Sequence, residues 1–366
     1  MPDTRFDASP VNQAAGWRIA SLCAVLVVAM AACTSDEAPT DPAGGPSLSR
    51  ATASTYTAVD LSRLDQEFSE AFDIDPSGRI VGQRGRRVTV DGNSTLVDVR
   101  AVIWDRGAVT VLGTLGGSFS GAFGINAEGQ VVGQSENGSG ETHAFLWSRG
   151  VMTDLGTLGG LFSWALAINP RGQVVGESET AAGDTHAFFW ENGLLTDLHP
   201  VSGTFSHASD INQAGQVVGY IRESTAFQAV LWENGTTTEL GTLGGSNSFA
   251  FGISPTGQVV GSSETAQGDT HAFLWDAGVM TDLGTLGGPN SGAKSINPGG
   301  QVVGSSQTAA GESHAVLWDH GDIIDLGTLP GGTFSGAQAI NPQGQIAGEG
   351  DAPEEDRNPA ILWTRH

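Results

Sequence analysis

Four histidines, His143, His186, His271 and His314, each stand two residues after a carboxylate: Glu141, Asp184, Asp269 and Glu312. Histidine beside carboxylate is the raw material of metal sites and of general acid–base chemistry. A metal ion needs ligands that converge on one point. These pairs recur at the same place in separate copies of a repeat, so they radiate and cannot share an ion. They are expected to be hydrogen-bonded loop anchors, and no metal or cofactor is expected. Glu70, Asp73 and Asp210 are the inner-strand candidates for the facing carboxylates that glycoside chemistry requires. Asp73-Ile-Asp75-Pro-Ser77-Gly78 opens like a calcium loop, but Arg84 occupies the twelfth position, where a bidentate Glu is needed. The nucleophile elbow Gly-x-Ser-x-Gly, the phosphate-loop Gly-Lys-Ser/Thr and the zinc motif His-Glu-x-x-His do not occur. This weakens a catalytic reading, although a site assembled from scattered residues leaves no linear motif.

A sharper signal is a position that varies inside a repeated frame. In Ser-x-Ala-x-x-Ile-Asn the first x is Glu70, Gly121, Trp164, His207, Phe249, Gly292 or Gly336. Such a position is free of the packing constraint that its neighbours share. Glu70, Trp164, His207 and Phe249 are therefore expected to form a mixed aromatic and polar cluster at a channel mouth. A concavity of that kind suits a sugar ring, a peptide or a small organic ligand. The competing expectation is that Trp164 and Phe249 fill gaps left by neighbouring glycines. Two loops also break the pattern. Gln83-Arg-Gly-Arg-Arg87 before Asp91-Gly-Asn93 reads as an extended hairpin with a basic tip, and Glu349 to Asp356 reads as an acidic loop. The two are expected in neighbouring repeats, where they can pair or serve a partner.

The elements that would position these residues come from a period. Trp104, Trp147, Trp190, Trp232, Trp275, Trp318 and Trp363 follow one another at steps of 43, 43, 42, 43, 43 and 45 residues. A period of this size marks a repeat architecture. Within one copy, Leu112 to Leu155, four short strands alternate with turns. Asn169-Pro-Arg-Gly172 and Asn341-Pro-Gln-Gly344 carry the residues of a type I turn in their preferred order. Four antiparallel strands per repeat make a propeller blade. The expectation is an all-β, seven-bladed β-propeller over residues 56–366. The last copy ends after its third strand, and Tyr56-Thr-Ala-Val-Asp-Leu61 has the pattern of a fourth. That N-terminal strand is expected to complete the last blade and close the ring.

Residues 1–32 have the form of a signal peptide, with an apolar run from Ile19 to Ala32 too short for a comfortable membrane span. Met30-Ala-Ala-Cys33 resembles a bacterial lipobox. The resemblance implies lipidation at Cys33 and a bacterial outer-membrane anchor, periplasmic or at the cell surface, because Thr34 follows and no aspartate retention signal is present. Residues 33–55, rich in Pro, Gly, Ser, Thr and Ala, are expected to be a flexible linker. Both cysteines, Cys23 and Cys33, lie in this N-terminal region, so the repeats hold together without disulfides. A net charge of −24 repels phosphate backbones and excludes nucleic acid as a partner.

His-Ala-Phe at His143, His186 and His271, flanked by Leu-Gly-Thr-Leu-Gly-Gly and Ile-Asn-x-x-Gly-Gln-Val-Val-Gly, is similar to the HAF-repeat family of bacterial extracellular proteins. The resemblance covers residues 57–366. Arg100-Ala-Val, Gln228-Ala-Val, His314-Ala-Val and Pro359-Ala-Ile depart from it. It implies an extracellular repeat protein and transfers no catalytic residue. The leading reading is a monomeric, lipid-anchored propeller that binds a protein, peptide or glycan. The alternative is an extracytoplasmic carbohydrate-active lyase or hydrolase with its site at the channel mouth.

Overall fold

The computed structural model describes residues 50–51, 56–62, 67–90, 93–199, 205–352 and 358–365. The expected signal peptide, Cys33, most of the expected linker and the second half of the acidic loop lie outside the described residues. Every regular element described is a β-strand.

The strands form seven four-stranded antiparallel blades, each running inner, second, third and outer strand. Blade three is typical: Gly159–Ile168, Val174–Thr180, Thr185–Glu191 and Leu194–Asp197. Blade seven is Ser335–Ile340, Ile346–Gly350 and Ala360–Arg365, completed by Tyr56–Asp60 as its outer strand. Tyr56 pairs with Arg365 and Asp60 with Ile361. The ring is sealed by its two ends, as the pattern of the N-terminal strand predicts. Within the stretch read as a linker, Arg50–Ala51 pairs in parallel with Ile323–Ile324, on the outer edge of blade six. That pairing covers backbone groups an edge strand otherwise exposes.

The hydrophobic core is divided among seven seams, one between each two successive blades. The Val–Val pairs explain how. Successive residues of a strand face opposite sides of its sheet. Val174 therefore packs with Val132 and Ala144 of blade two, while Val175 packs with Ala208 and Val217 of blade four. The seam between blades seven and one has the same make-up, with Ala339, Ala347 and Ala360 against Ala71, Ile74 and Val102.

The tryptophans that set the period do not all occupy one environment. In blades two, three and five, Phe145, Phe188 and Phe273 are 0% exposed and the following Trp147, Trp190 and Trp275 are only partly buried. Where Val102, Val230, Val316 or Ile361 replaces that phenylalanine, Trp104, Trp232, Trp318 and Trp363 sink to 1–6% exposure. Both rings use one seat, over the glycine that ends Val-Val-Gly. A Cβ on Gly82 would lie 3.0 Å from the Trp104 ring, and one on Gly261 would lie 2.9 Å from the Phe273 ring. The departures from His-Ala-Phe are thus volume exchanges inside one core.

Polar staples repeat with the same order. The hydroxyl of Ser163 accepts the Ala144 amide of the preceding blade at 2.8 Å and donates to the Gly156 carbonyl at 2.6 Å. The amide-to-serine bond recurs at all seven seams, at 2.8–3.0 Å, the last being Ala360 to Ser69. Asn169 closes its turn, with Gly172 N–H donating to its carbonyl at 2.9 Å and Arg171 N–H to its side-chain oxygen. Its amide then reaches the Asn212 carbonyl of the next blade at 3.0 Å. Asn341 makes the equivalent link across the closure, to the Asp75 carbonyl at 3.2 Å.

Candidate functional site

The inner strands surround the channel, and the register fixes what lines their edge. Each variable residue stands across from one on the second strand: Glu70 from Gln83, Gly121 from Gln134, Trp164 from Glu177, His207 from Tyr220, Phe249 from Ser262, Gly292 from Ser305, and Gly336 from Glu349. The second-strand residue then leans on the variable residue of the next blade. Glu177 bonds His207 Nδ1 at 2.6 Å. The Tyr220 ring meets Phe249 edge-on at 5.0 Å. Gln83 Oε1 lies 2.8 Å from where a Cβ on Gly121 would stand. The result is a belt of side chains that runs from blade to blade.

The belt has two unlike sectors. Over blades three to five it is aromatic. His207 stacks on Tyr220 at 4.7 Å, and Tyr220 contacts Phe205, Phe227, Phe249 and Phe251 at 5.0–6.5 Å. Trp164 lies against Phe162 at 5.6 Å. These rings are partly exposed. From blade six round to blade one the belt is small and ionic: Gly292, Lys294, Gly336, Gln338, Glu349, Glu70 and Gln83. Lys294 Nζ lies 4.1 Å over the Phe251 ring and marks the border. Neither Gly292 nor Gly336 has a left-handed φ. A Cβ on either would meet only one ordinary contact, at 3.8 Å and 3.6 Å. Backbone and packing do not require glycine there, and the missing side chains leave the wall open.

Burial pushes the Glu70 carboxyl up to about 7, and the charge of Glu349 adds to the rise, while a hydrogen bond from Gln83 at 2.6 Å opposes it. Burial raises Glu349 as well. Asp73 and Asp210 are pushed up by burial to about 7 and about 6. Each accepts its own neighbour's amide and one from the next blade: Asp73 from Ile125 at 2.9 Å, Asp210 from Ile253 at 2.9 Å. The charge of Asp210 adds to the rise at Asp73. They are therefore partly buried cross-blade links, with their oxygens engaged by backbone amides.

Of the four residues expected to cluster, His207 and Phe249 meet through Tyr220, and Trp164 joins them through Glu177. Glu70 does not join. It lies in blade one, with Gln83 and Glu349. Tyr220, Phe251, Glu177, Gln134 and Lys294 were not expected. The second strand carries the signal for three of these, since Val-Val-Gly-x also holds a variable residue in a constant frame.

The repeated histidines are anchors whose close partners are outer-strand carboxylates, while Glu141 and Glu312 stand farther off, at 3.8 Å from His143 Nε2 and 3.5 Å from His314 Nε2. His143, His186, His271 and His314 bond Asp154, Asp197, Asp282 and Asp325 of the outer strand at 2.7–3.0 Å. The bond to Asp282 holds the His271 imidazole above its ordinary value. Among the described residues no group of three or more His, Cys, Asp or Glu is placed to hold a metal. In the segment that opens like a calcium loop, Asp75 takes the amides of Ser77 and Arg79 and the Arg79 guanidinium. The extended hairpin is present as Ile80–Val90 and Asn93–Asp105. Its basic run lies in the strand, away from the tip, and Arg86 pairs with Asp98 of the same hairpin.

No known family and no curated protein matches the chain by sequence. Among solved structures it is similar to the β-propeller domain of the Trilobed protease from Pyrococcus furiosus, with 10% identity, TM-score 0.56, and coverage of 82% of this chain and 97% of that one. It is similar to a puromycin-hydrolyzing peptidase from Mycobacterium tuberculosis, with 12% identity, TM-score 0.55, and coverage of 82% and 51%. TolB from Acinetobacter baumannii is a third, with 14% identity, TM-score 0.47, and coverage of 67% and 62%. The chain thus spans less than two thirds of the length of TolB and about half that of the peptidase. At these identities the likeness shows the fold: a β-propeller.

Proposed function

We propose that this chain is an extracytoplasmic binding scaffold of the HAF-repeat type, lipid-anchored at Cys33 to the bacterial outer membrane. It takes a protein, peptide or glycan on the inner edge of its ring and works as a monomer. One observation carries the reading. Seven copies of one frame present seven different inner-edge pairs, and three adjacent pairs converge in one partly exposed aromatic sector around Tyr220. Aromatic rings with a few polar groups in a concavity are the composition of a ligand site. The test is a combined glycan and peptide array probed with wild-type and Tyr220→Ala protein. Loss of the wild-type signals in the variant supports the site, and identical profiles sink it. For the anchor, labelling cells with an alkyne fatty acid should mark the wild type and spare Cys33→Ala.

The carbohydrate-active alternative has one observation in its favour. Glu70, raised to about 7 beside Glu349, has the protonation expected of a general acid near neutral pH. Release of reducing ends from a polysaccharide panel, abolished in Glu70→Gln, is the outcome that would establish it.

A further inference from the structure

Two buried polar groups on the inner edge are complementary, and neither has a partner. Trp164 Nε1 is a donor with none, and Gln134 Oε1 is an acceptor with none. Gln134 is only 6% exposed. A buried polar group left unbonded costs about 1–3 kcal/mol, so such groups are rare and call for an explanation. The register brings these two together. The second-strand residue reaches the variable residue of the next blade from Gln83 to Gly121, from Glu177 to His207 and from Tyr220 to Phe249. By the same step Gln134 of blade two faces Trp164 of blade three. They do not bond each other. One group that both accepts and donates, a hydroxyl, satisfies both. Gln83 Oε1, one blade back, is a second buried acceptor without a partner, in a side chain 9% exposed.

The surroundings narrow the chemistry. The rings of Trp164, Tyr220, Phe249 and Phe251 supply apolar faces along the same edge. Glu177, Glu70 and Glu349 lie on the belt within a chain of net charge −24, which disfavours an anionic ligand. Lys294, seated over Phe251, repels a cation from the aromatic platform. What remains is a neutral ligand, rich in hydroxyls, with apolar ring faces. We propose that the inner edge of blades two to five binds a neutral saccharide. One sugar hydroxyl bridges Trp164 Nε1 and Gln134 Oε1, a second donates to Gln83 Oε1, and a ring stacks on the aromatic sector. The inference rests on the binding-scaffold reading and names its ligand class.

The test titrates the full chain calorimetrically with neutral xylan, glucan and mannan oligosaccharides, with polygalacturonate and with an oligolysine peptide. A neutral oligosaccharide is expected to bind and the two charged probes to give no heat. Trp164→Phe, which keeps the ring and removes the N–H, should weaken binding about tenfold, and so should Gln134→Leu. Unchanged melting temperatures would show that both variants fold. Wild-type affinity in both variants would overturn the hydroxyl bridge. Binding of oligolysine alone, lost in Tyr220→Ala, would overturn the saccharide and leave the scaffold standing. No binding of any probe, here and on the combined array, would overturn both.

Discussion

On the inner strand of blade three, Ser163 and Trp164 are adjacent in the chain and belong to different regions. Ser163 is fully buried, ties blade three to blade two, and has a counterpart at every seam. Trp164 is partly exposed, has a different residue at its position in every other blade, and carries an unbonded N–H. The frame repeats because each seam must be filled and bonded alike. The wall varies because no seam depends on it. Substitutions in the frame should therefore be read in stability, and substitutions in the wall in binding.

Glycine makes the largest contrast. A Cβ on Gly176, in the frame, would stand 1.9 Å from the Trp164 carbonyl oxygen. Gly176→Ala should lose about 3 kcal/mol or more in urea unfolding, because backbone must move to admit it. An ordinary loss of a few tenths would break the distinction. Next comes pH, acting through Asp73 and Asp210, which lie on the inner strand yet serve the frame. Their carboxyls hold protons more tightly folded than unfolded. The stabilisation is complete below about pH 4 and is lost as pH rises through about 6–7. Stability should rise by on the order of 3–4 kcal/mol on acidification from pH 8 to pH 5, read as a higher melting temperature. A flat profile would return both groups to ordinary surface carboxylates.

Ser163→Ala leaves a buried amide and a carbonyl without a partner, and should cost ~2 kcal/mol. Phe188→Val imitates the blades in which tryptophan takes the seat. Trp190 should drop inward, so the loss is expected near 1–2 kcal/mol, well below the ~3–5 typical of Phe→Ala. Tryptophan fluorescence should shift to the blue as Trp190 becomes buried, and no shift would show that the seat cannot be exchanged. Gly336→Ala, in the wall, should stay within about 0.5 kcal/mol of wild type.

The frame was legible in the sequence because its determinants are local or periodic. The tryptophan steps, the Asn-Pro-x-Gly turns and the fourth-strand pattern of Tyr56 to Leu61 suffice for the blade number and the closure. The wall was only half legible. The varying inner-strand residue is visible along the chain, but its neighbour across the strand, and the lean of that neighbour into the next blade, are properties of register. Tyr220 and Gln134 become meaningful once Tyr220 is placed against Phe249 and Gln134 opposite Gly121. Glu70 shared the pattern of His207 and Phe249 and still fell elsewhere, because blade number decides which sector a residue enters. The histidines were legible as anchors but their outer-strand partners were not, since Asp154 and its equivalents arrive from a strand the histidine meets only after the hairpin turns.

The seal of blade seven also orders events in time. Asp60 pairs with Ile361, so the first propeller strand to emerge during synthesis or export finds its partner only among the last. Six seams can form as each blade arrives, but the seventh waits for nearly the whole chain and carries the entropy of the longest loop. A nascent ring therefore passes through a stage with the inner edge assembled and an open sheet at each end. An open solenoid can add or shed a terminal unit at modest cost, whereas here blades one and seven each lack a neighbour on one side until the circle is finished.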